Sequence, residues 1–322
     1  SNGMQSEVPA DPPLSDFAFV SVRNKNRVIQ VVSQDGRLQK VITDVNRDSN
    51  NPTWSPDGTE IVFESSPSGG IHQIFVIRAD GSGERQLTDL AAGGHHPAWS
   101  PDGQRIAFLS GVSDAKNVYL IDKNGQNQVT LATGLPVKFA PVFSKDGGRL
   151  YLITIAAPHW SLYRIDIASS QLSHVWQRQL NGFINPAWSH DRQKIAFVTV
   201  GENGASLYIV NVDGSGERLL SNAPFSNATP AWSPFDRALI FSSGSDILTV
   251  RADGLGETNL TRNSTGNYAP MWSPDGKRVV FVSIRDGNSE IYLMNTNGST
   301  VRRITNDLNE DIQPTWSPII VE

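Results

Sequence analysis

The chain is predicted to be all-β, a seven-bladed β-propeller of four-stranded antiparallel blades, and three observations carry that expectation. First, Pro-x-Trp-Ser recurs at Pro52-Ser55, Pro97-Ser100, Pro186-Ser189, Pro230-Ser233, Pro270-Ser273 and Pro314-Ser317, with Pro141-Val142-Phe143-Ser144 as a seventh copy carrying Phe for Trp. The aromatic residues at 54, 99, 143, 188, 232, 272 and 316 are separated by 45, 44, 45, 44, 40 and 44 residues, a period typical of propellers and solenoids. Second, each repeat divides into four short β-type runs set off by turn residues. Third, the two ends of the chain hold complementary fractions of one repeat.

Trp99 to Gly134 shows the repeat unit. Pro97 to Ser100 is a short first strand, and Ser100-Pro101-Asp102-Gly103 places Ser, Pro and Gly where a type I turn prefers them. Arg105 to Leu109 is a second strand, apolar on both pleat faces, so both faces need cover. Asn117 to Asp122 is a third, Asn124-Gly125 marks a tight reversal, and Gln128 to Ala132 is a fourth. Asp80-Gly81, Asp213-Gly214, Asp253-Gly254 and Asn297-Gly298 repeat that later turn. Four strands in about 44 residues make one blade, and sheets with two apolar faces must stack. The repeated tryptophans are therefore expected between blades, as core rather than as a ligand box.

Ring closure is expected from the ends. Phe17 to Ser21, Val28 to Val32 and Leu38 to Thr43 reproduce strands two, three and four but lack strand one, and Gln313 to Pro318 supplies a lone strand one. Residues 16–322 are read as a single propeller domain. Residues 1–15 are read as a flexible leader: Ser1-Asn2-Gly3 precedes Met4 like an expression remnant, and Pro9, Pro12 and Pro13 follow.

Composition narrows the function classes. Apolar residues are 38% and no run of about 18 apolar residues occurs, so no membrane span is expected. A net charge of -5 with interspersed signs offers no basic stripe, which argues against nucleic acid. Cysteine is absent, excluding disulfides, thiolate metal sites and Cys nucleophiles.

Pro-x-Trp-Ser-Pro-Asp-Gly followed by Ile-x-Phe, an aromatic third strand such as Ile291-Tyr292-Leu293, and Asp-Gly-Ser-Gly-x-x-x-Leu-Thr at Asp80 to Thr88 resembles the WD-like repeats of the TolB propeller family. The resemblance runs from Phe17 onward. It departs from that family in lacking room for an N-terminal α/β domain and in showing seven blades rather than six. It implies a bacterial periplasmic or secreted scaffold that binds another protein, as TolB binds a peptidoglycan-associated lipoprotein, with an envelope or cell-wall partner and a monomeric state.

Chemistry-bearing motifs are sparse. No Gly-x-Ser-x-Gly elbow occurs, so the chain is not by itself a complete prolyl-oligopeptidase-type peptidase. The Asp-Gly-Ser-Gly copies lack the spaced carboxylates of a calcium loop and read as turns. Consecutive strand residues His95 and His96 point to opposite faces. The other histidines come from different repeats; His72, His96 and His159 could approach one rim, loosely resembling the metal site of oligogalacturonate lyases. The expectation is nevertheless scattered histidines, no metal and no cofactor. The alternatives to a binding scaffold are a carbohydrate-active or metal-dependent enzyme at the channel mouth and an accessory propeller of a larger protein.

Geometry places the expected site. First strands line a propeller channel, so one rim is built from the pairs preceding each Pro-x-Trp-Ser: Asn50-Asn51, His95-His96, Phe139-Ala140, Ile184-Asn185, Ala228-Thr229, Tyr268-Ala269 and Ile312-Gln313. They vary while the motif behind them hardly does, the usual layout of a binding face. The loops between strands two and three share that rim and add Trp160 and Arg285. The expected binding residues are Asn51, His95, His96, Trp160, Asn185, Tyr268, Arg285 and Gln313. The opposite rim is expected to be uniform.

Overall fold

The computed structural model describes residues 16–67, 69–179, 185–201, 204–222, 230–262 and 265–319. All regular structure among them is β, arranged as seven four-stranded antiparallel sheets. Six sheets are sequential, with first strands Arg47–Trp54, His95–Trp99, Val142–Phe143, Ala187–Trp188, Ala231–Trp232 and Asn267–Trp272, and are numbered blades 1 to 6 here. The seventh, the closing blade, joins Glu310–Trp316 to Phe17–Arg23, Asn26–Val32 and Gln39–Val41. Phe17 pairs with Trp316 and Ala18 with Thr315, in the register that the end fragments predict.

The cores lie between blades, as two-faced sheets require. Seven clusters of buried side chains correspond to the seven interfaces; Ala18, Ile29 and Val31 of the closing blade, for example, meet Trp54, Ile61 and Phe63 of blade 1. Trp54, Trp99, Trp232 and Trp316 are buried, whereas Trp188 and Trp272 are half-buried. Each buried indole also makes a directed contact. Trp99 Nε1 donates to the Thr53 carbonyl at 3.1 Å, Trp232 to Ala187 at 3.0 Å, Trp316 to Met271 at 3.4 Å and Trp54 to Thr315 at 3.1 Å. In every case the acceptor is the variable residue of Pro-x-Trp-Ser in the preceding blade. Phe143 has no such donor, and Trp272 Nε1 is buried without a partner.

The turn motifs fold as their chemistry dictates. In Ser-Pro-Asp-Gly the Ser hydroxyl donates to the Asp carboxylate two residues on, as in Ser100 to Asp102 at 2.5 Å, and the amide after Gly is capped by that same Asp. At the later turn Gly298 has φ +82 and sits so close to the neighbouring blade that a Cβ would lie 2.3 Å from the Leu260 carbonyl oxygen, which makes glycine a packing requirement as well as a conformational one. The Thr of Leu-Thr or Ile-Thr at the end of the repeat has a role that the repeat alone did not disclose. Thr43, Thr88, Thr261 and Thr305 each accept from a third-strand amide, at Ile29, Ile74, Ile247 and Ile291, all at 2.9 Å.

Candidate functional site

A repeated backbone device builds the channel mouth. In blade 1, Asn50 pairs with Glu64 and Thr53 with Val62, so Asn51 and Pro52 together oppose the single residue Phe63. The same two-against-one bulge occurs at His96-Pro97, Ala269-Pro270 and Gln313-Pro314. The residue before each proline is left-handed: φ is 52 for Asn51, 54 for His96, 49 for Ala269 and 52 for Gln313. Non-glycine residues seldom adopt this conformation, and bulges re-aim side chains beside functional sites. Here the bulge turns the second member of these four pairs to the channel. Asn51, His96, Ala140, Ala269 and Gln313 line a cavity of about 410 Å³ at its mouth.

Two first members, Tyr268 and His95, are engaged by partners outside the cavity lining. Tyr268 donates its hydroxyl to Ser289 Oγ at 2.9 Å, and His95 places Nδ1 3.4 Å from Glu64 Oε2. Glu64 organises this part of the rim. Buried within blade 1, it accepts from Asn51 Nδ2 at 2.7 Å and from the His96 amide at 2.8 Å. Burial pushes its carboxyl up, yet the hydrogen bonds from His95, the His96 amide and Asn51 together hold it below the usual glutamate range. Burial lowers the His96 pKa, with the attraction of Glu64 opposing it, so the channel-side imidazole favours its neutral form. Glu64 escapes a motif search, but there was a signal. It occupies a second-strand position held by Leu109, Ile153, Val198 and Val282 in other blades.

The remaining expected residues divide. Asn185 and Tyr268 are half-buried on this side and Gln313 is exposed. Arg285 belongs to the rim but is engaged by its own blade: its guanidinium stacks on Tyr292 at 4.6 Å, and Nε and Nη2 donate to Ser283 Oγ at 2.9 Å and Asn267 Oδ1 at 3.1 Å. Trp160 must be corrected. It lies in the strand His159–Asp166, is fully buried, and packs edge-on against Trp176 at 4.7 Å and Phe197 at 5.2 Å. The apolar gap between blades 3 and 4 takes the ring, so it presents no surface to a partner. Ile184, Ala228 and Thr229 lie outside the described residues.

The histidines group differently from the expected set. His72 approaches His95, with ring centroids 6.3 Å apart, and its Nε2 lies 3.2 Å from Asp48 Oδ2. Asp48 is itself held by Arg27, which donates through its amide and Nε at 2.9 Å and also through Nη2. The Arg27 hydrogen bond lowers the Asp48 pKa to about 2. Among the described residues no group of three or more His, Cys, Asp or Glu side chains converges as a metal site. Among the described residues no helix is long and apolar enough to cross a membrane.

A ring of four-stranded blades with a tight bulge at four of its channel entries defines a propeller of the kind built from Pro-x-Trp-Ser repeats. The chain matches the TolB beta propeller domain over residues 9–181 and 174–319, and it belongs to that family. It is 28% identical over 113 residues to the Tol-Pal system protein TolB of Anaeromyxobacter dehalogenans, covering 34% of this chain and 25% of that protein. It is 30% identical over 135 residues to the TolB homolog of Chlorobium chlorochromatii, covering 42% and 30%. The matched segments thus span between a quarter and a third of these relatives. Among solved structures, TolB from Acinetobacter baumannii superposes with TM-score 0.57 at 16% identity, over 93% of this chain and 82% of that one. An oligogalacturonate lyase from Vibrio parahaemolyticus superposes with TM-score 0.63 at 16% identity, over 90% and 84%. At such identities the structural likeness concerns the fold.

Proposed function

We propose that this chain is a non-enzymatic scaffold, exported to the periplasm or secreted, that binds a protein partner of the envelope or cell wall through the channel mouth. The observation that supports this most directly is the bulge series. Four left-handed residues, Asn51, His96, Ala269 and Gln313, accept backbone strain where the fold itself supplies only a proline and a strand. The result is a ring of differing side chains on a rigid frame. Sites on rigid elements hold their geometry, and strain of this kind clusters at functional positions. Glu64 adds a second layer by fixing Asn51 and His96 from beneath. Family membership favours the same class, since two relatives are TolB proteins and one is named for the Tol-Pal system.

The test is a direct binding assay against purified envelope proteins and cell-wall fragments. The native chain is compared with a His96→Ala, Gln313→Ala variant and with an opposite-face control, Asp102→Ala, Asp275→Ala. The channel-mouth variant is expected to lose about tenfold or more in affinity, as central contacts in an interface do, while the control binds normally. Loss in the control with retention in the mouth variant puts the binding face on the wrong side.

A further inference from the structure

The opposite end of the channel is not uniform, and its departures converge on one cavity. Blades 1, 2 and 6 carry Ser-Pro-Asp-Gly at the first turn, but blade 3 has Lys145 for Pro, and blade 4 has His190 for Pro and Arg192 for Gly. Blade 5 has Asp236 in the glycine position. The glycine conformation is retained all the same: φ is 61 at Arg192 and 56 at Asp236, against 67 for Gly103. A side chain held there costs on the order of 1 kcal/mol or more relative to glycine. The turn gains nothing from Arg192, so the side chain has to be the reason for its presence.

The side chain is aimed into a cavity of about 430 Å³, whose lining includes Trp54, Trp99, Phe143, Lys145, His190 and Arg192 and no carboxylate. The space lies where Phe143 stands in place of the repeat tryptophan. Arg192 is half-buried, and among the described residues its guanidinium makes no hydrogen bond or ion pair. Burial presses its pKa below the usual arginine value, while the nearby acids Asp236 and Asp191 act against that. Those acids are already committed. Asp191 accepts from Ser189 Oγ at 2.6 Å and the Gln193 amide at 2.9 Å. Asp236 accepts from the His190 amide at 2.7 Å, His190 Nδ1 at 3.1 Å and the Asp191 amide at 3.0 Å. Asp236 therefore anchors His190 and the turn, leaving the five donors of Arg192 available over an aromatic and proline wall.

We propose that this end of the channel is a second binding site, for a small oxyanion: a carboxylate or phosphate group carried on an apolar or ring-shaped body. Arg192 pairs with the oxyanion, Lys145 adds charge, and the body rests on the prolines of the wall, Pro56, Pro101 and Pro141, between which only the edges of the buried Trp54, Trp99 and Phe143 rings show. Thr53, Pro97 and Ala140 line both cavities, but Lys145, His190 and Arg192 line only this one and Asn51, His96 and Gln313 only the other, so the charged groups of the two sites can be removed separately.

Isothermal titration at low ionic strength with inorganic phosphate and, separately, with benzoate tests it. Saturable one-to-one binding of either probe is expected, and the probe that binds identifies the anion class. Arg192→Gly restores the repeat residue at a left-handed position, so it is expected to fold with an unlowered melting midpoint while weakening binding about 10–100-fold, the range for a lost charge-assisted hydrogen bond. His96→Ala at the other mouth should leave binding unchanged. Absence of saturable binding of both probes, or equal affinity of the native chain and Arg192→Gly, overturns the proposal.

Discussion

The indole N–H of Trp54 donates to the carbonyl of Thr315 at 3.1 Å, bridging 261 residues of sequence to join the first complete blade to the strand that closes the ring. The bond is one copy of the contact that links the four buried tryptophans of the repeat motif, Trp54, Trp99, Trp232 and Trp316, to the blade before each. At this interface the blade before is completed by the end of the chain. Closure therefore uses the same parts as every other interface: a strand pairing, an interblade core and an indole bond.

Deleting the residues after Asp311 is accordingly expected to do more than shorten an edge. It removes Trp316 and its edge-on contact with Phe17 at 5.5 Å, deprives Trp54 of its acceptor, and leaves Phe17, Ala18 and Phe19 on an open edge. Loss of one buried tryptophan costs about 3–5 kcal/mol, and an unpaired edge invites aggregation. Thermal denaturation should show a sharply lower midpoint. A truncated chain that melts with the native one contradicts closure by this strand.

The tryptophans are predicted to differ in weight although the motif repeats. Trp99 is buried and donates to Thr53, so Trp99→Ala should cost about 3–5 kcal/mol. Trp188 is half-buried, has no indole bond among the described residues, and leans on Tyr151 at 5.2 Å. Its replacement by Ala should cost about 1–2 kcal/mol, closer to a partial loss of buried area. Urea unfolding of the two variants decides the order, and equal losses would show that the indole bond contributes nothing.

The fold was legible because each repeat states its strands, turns and core aromatic, and because the ends divide one blade between them. The channel mouth was legible as a set of positions, but not as an orientation. Alternation alone assigns Asn50 and Asn51 to opposite faces without saying which meets the channel; the bulge against Phe63 settles it, and a bulge leaves no mark beyond the proline that follows. Trp160 was misread because His159-Trp160 follows Pro158 and resembles a loop, whereas pairing of Ile155 with Trp160 and Ala156 with His159 carries the strands to that turn. Arg192 and Asp236 were overlooked because the glycine they replace was treated as a turn signal, and the turn persists without it.

The last prediction concerns two buried carboxyls with opposite responses to pH. Asp311 is fully buried, and among the described residues neither carboxylate oxygen has a partner at full hydrogen-bond geometry, although the Ser21 and Thr305 hydroxyls lie near it. Burial raises its pKa to about 7; the Ser21 and Thr305 hydroxyls act against that rise, and the charges of Asp307 and Glu290 add to it. In the unfolded chain it titrates near its ordinary value of about 3.9. Between those two values the unfolded chain releases a proton that the folded chain retains, so this group's contribution to stability is complete below about pH 4 and is lost as pH rises through about 7. Glu64 has the reverse sign: its folded pKa is lowered, so its contribution is present above the ordinary glutamate value and is lost on acidification. In blade 1 the position of Asp311 is held by Ser49, which pairs with Ser65 at 2.9 Å. Asp311→Ser is therefore expected to fold and to gain on the order of 2–4 kcal/mol at pH 8 while changing little at pH 4. Denaturant midpoints at the two pH values measure this, with Glu64→Gln as the counterpart whose loss should shrink as pH falls. An Asp311→Ser variant with the native pH profile would show that Asp311 is ionised throughout and that its burial is compensated.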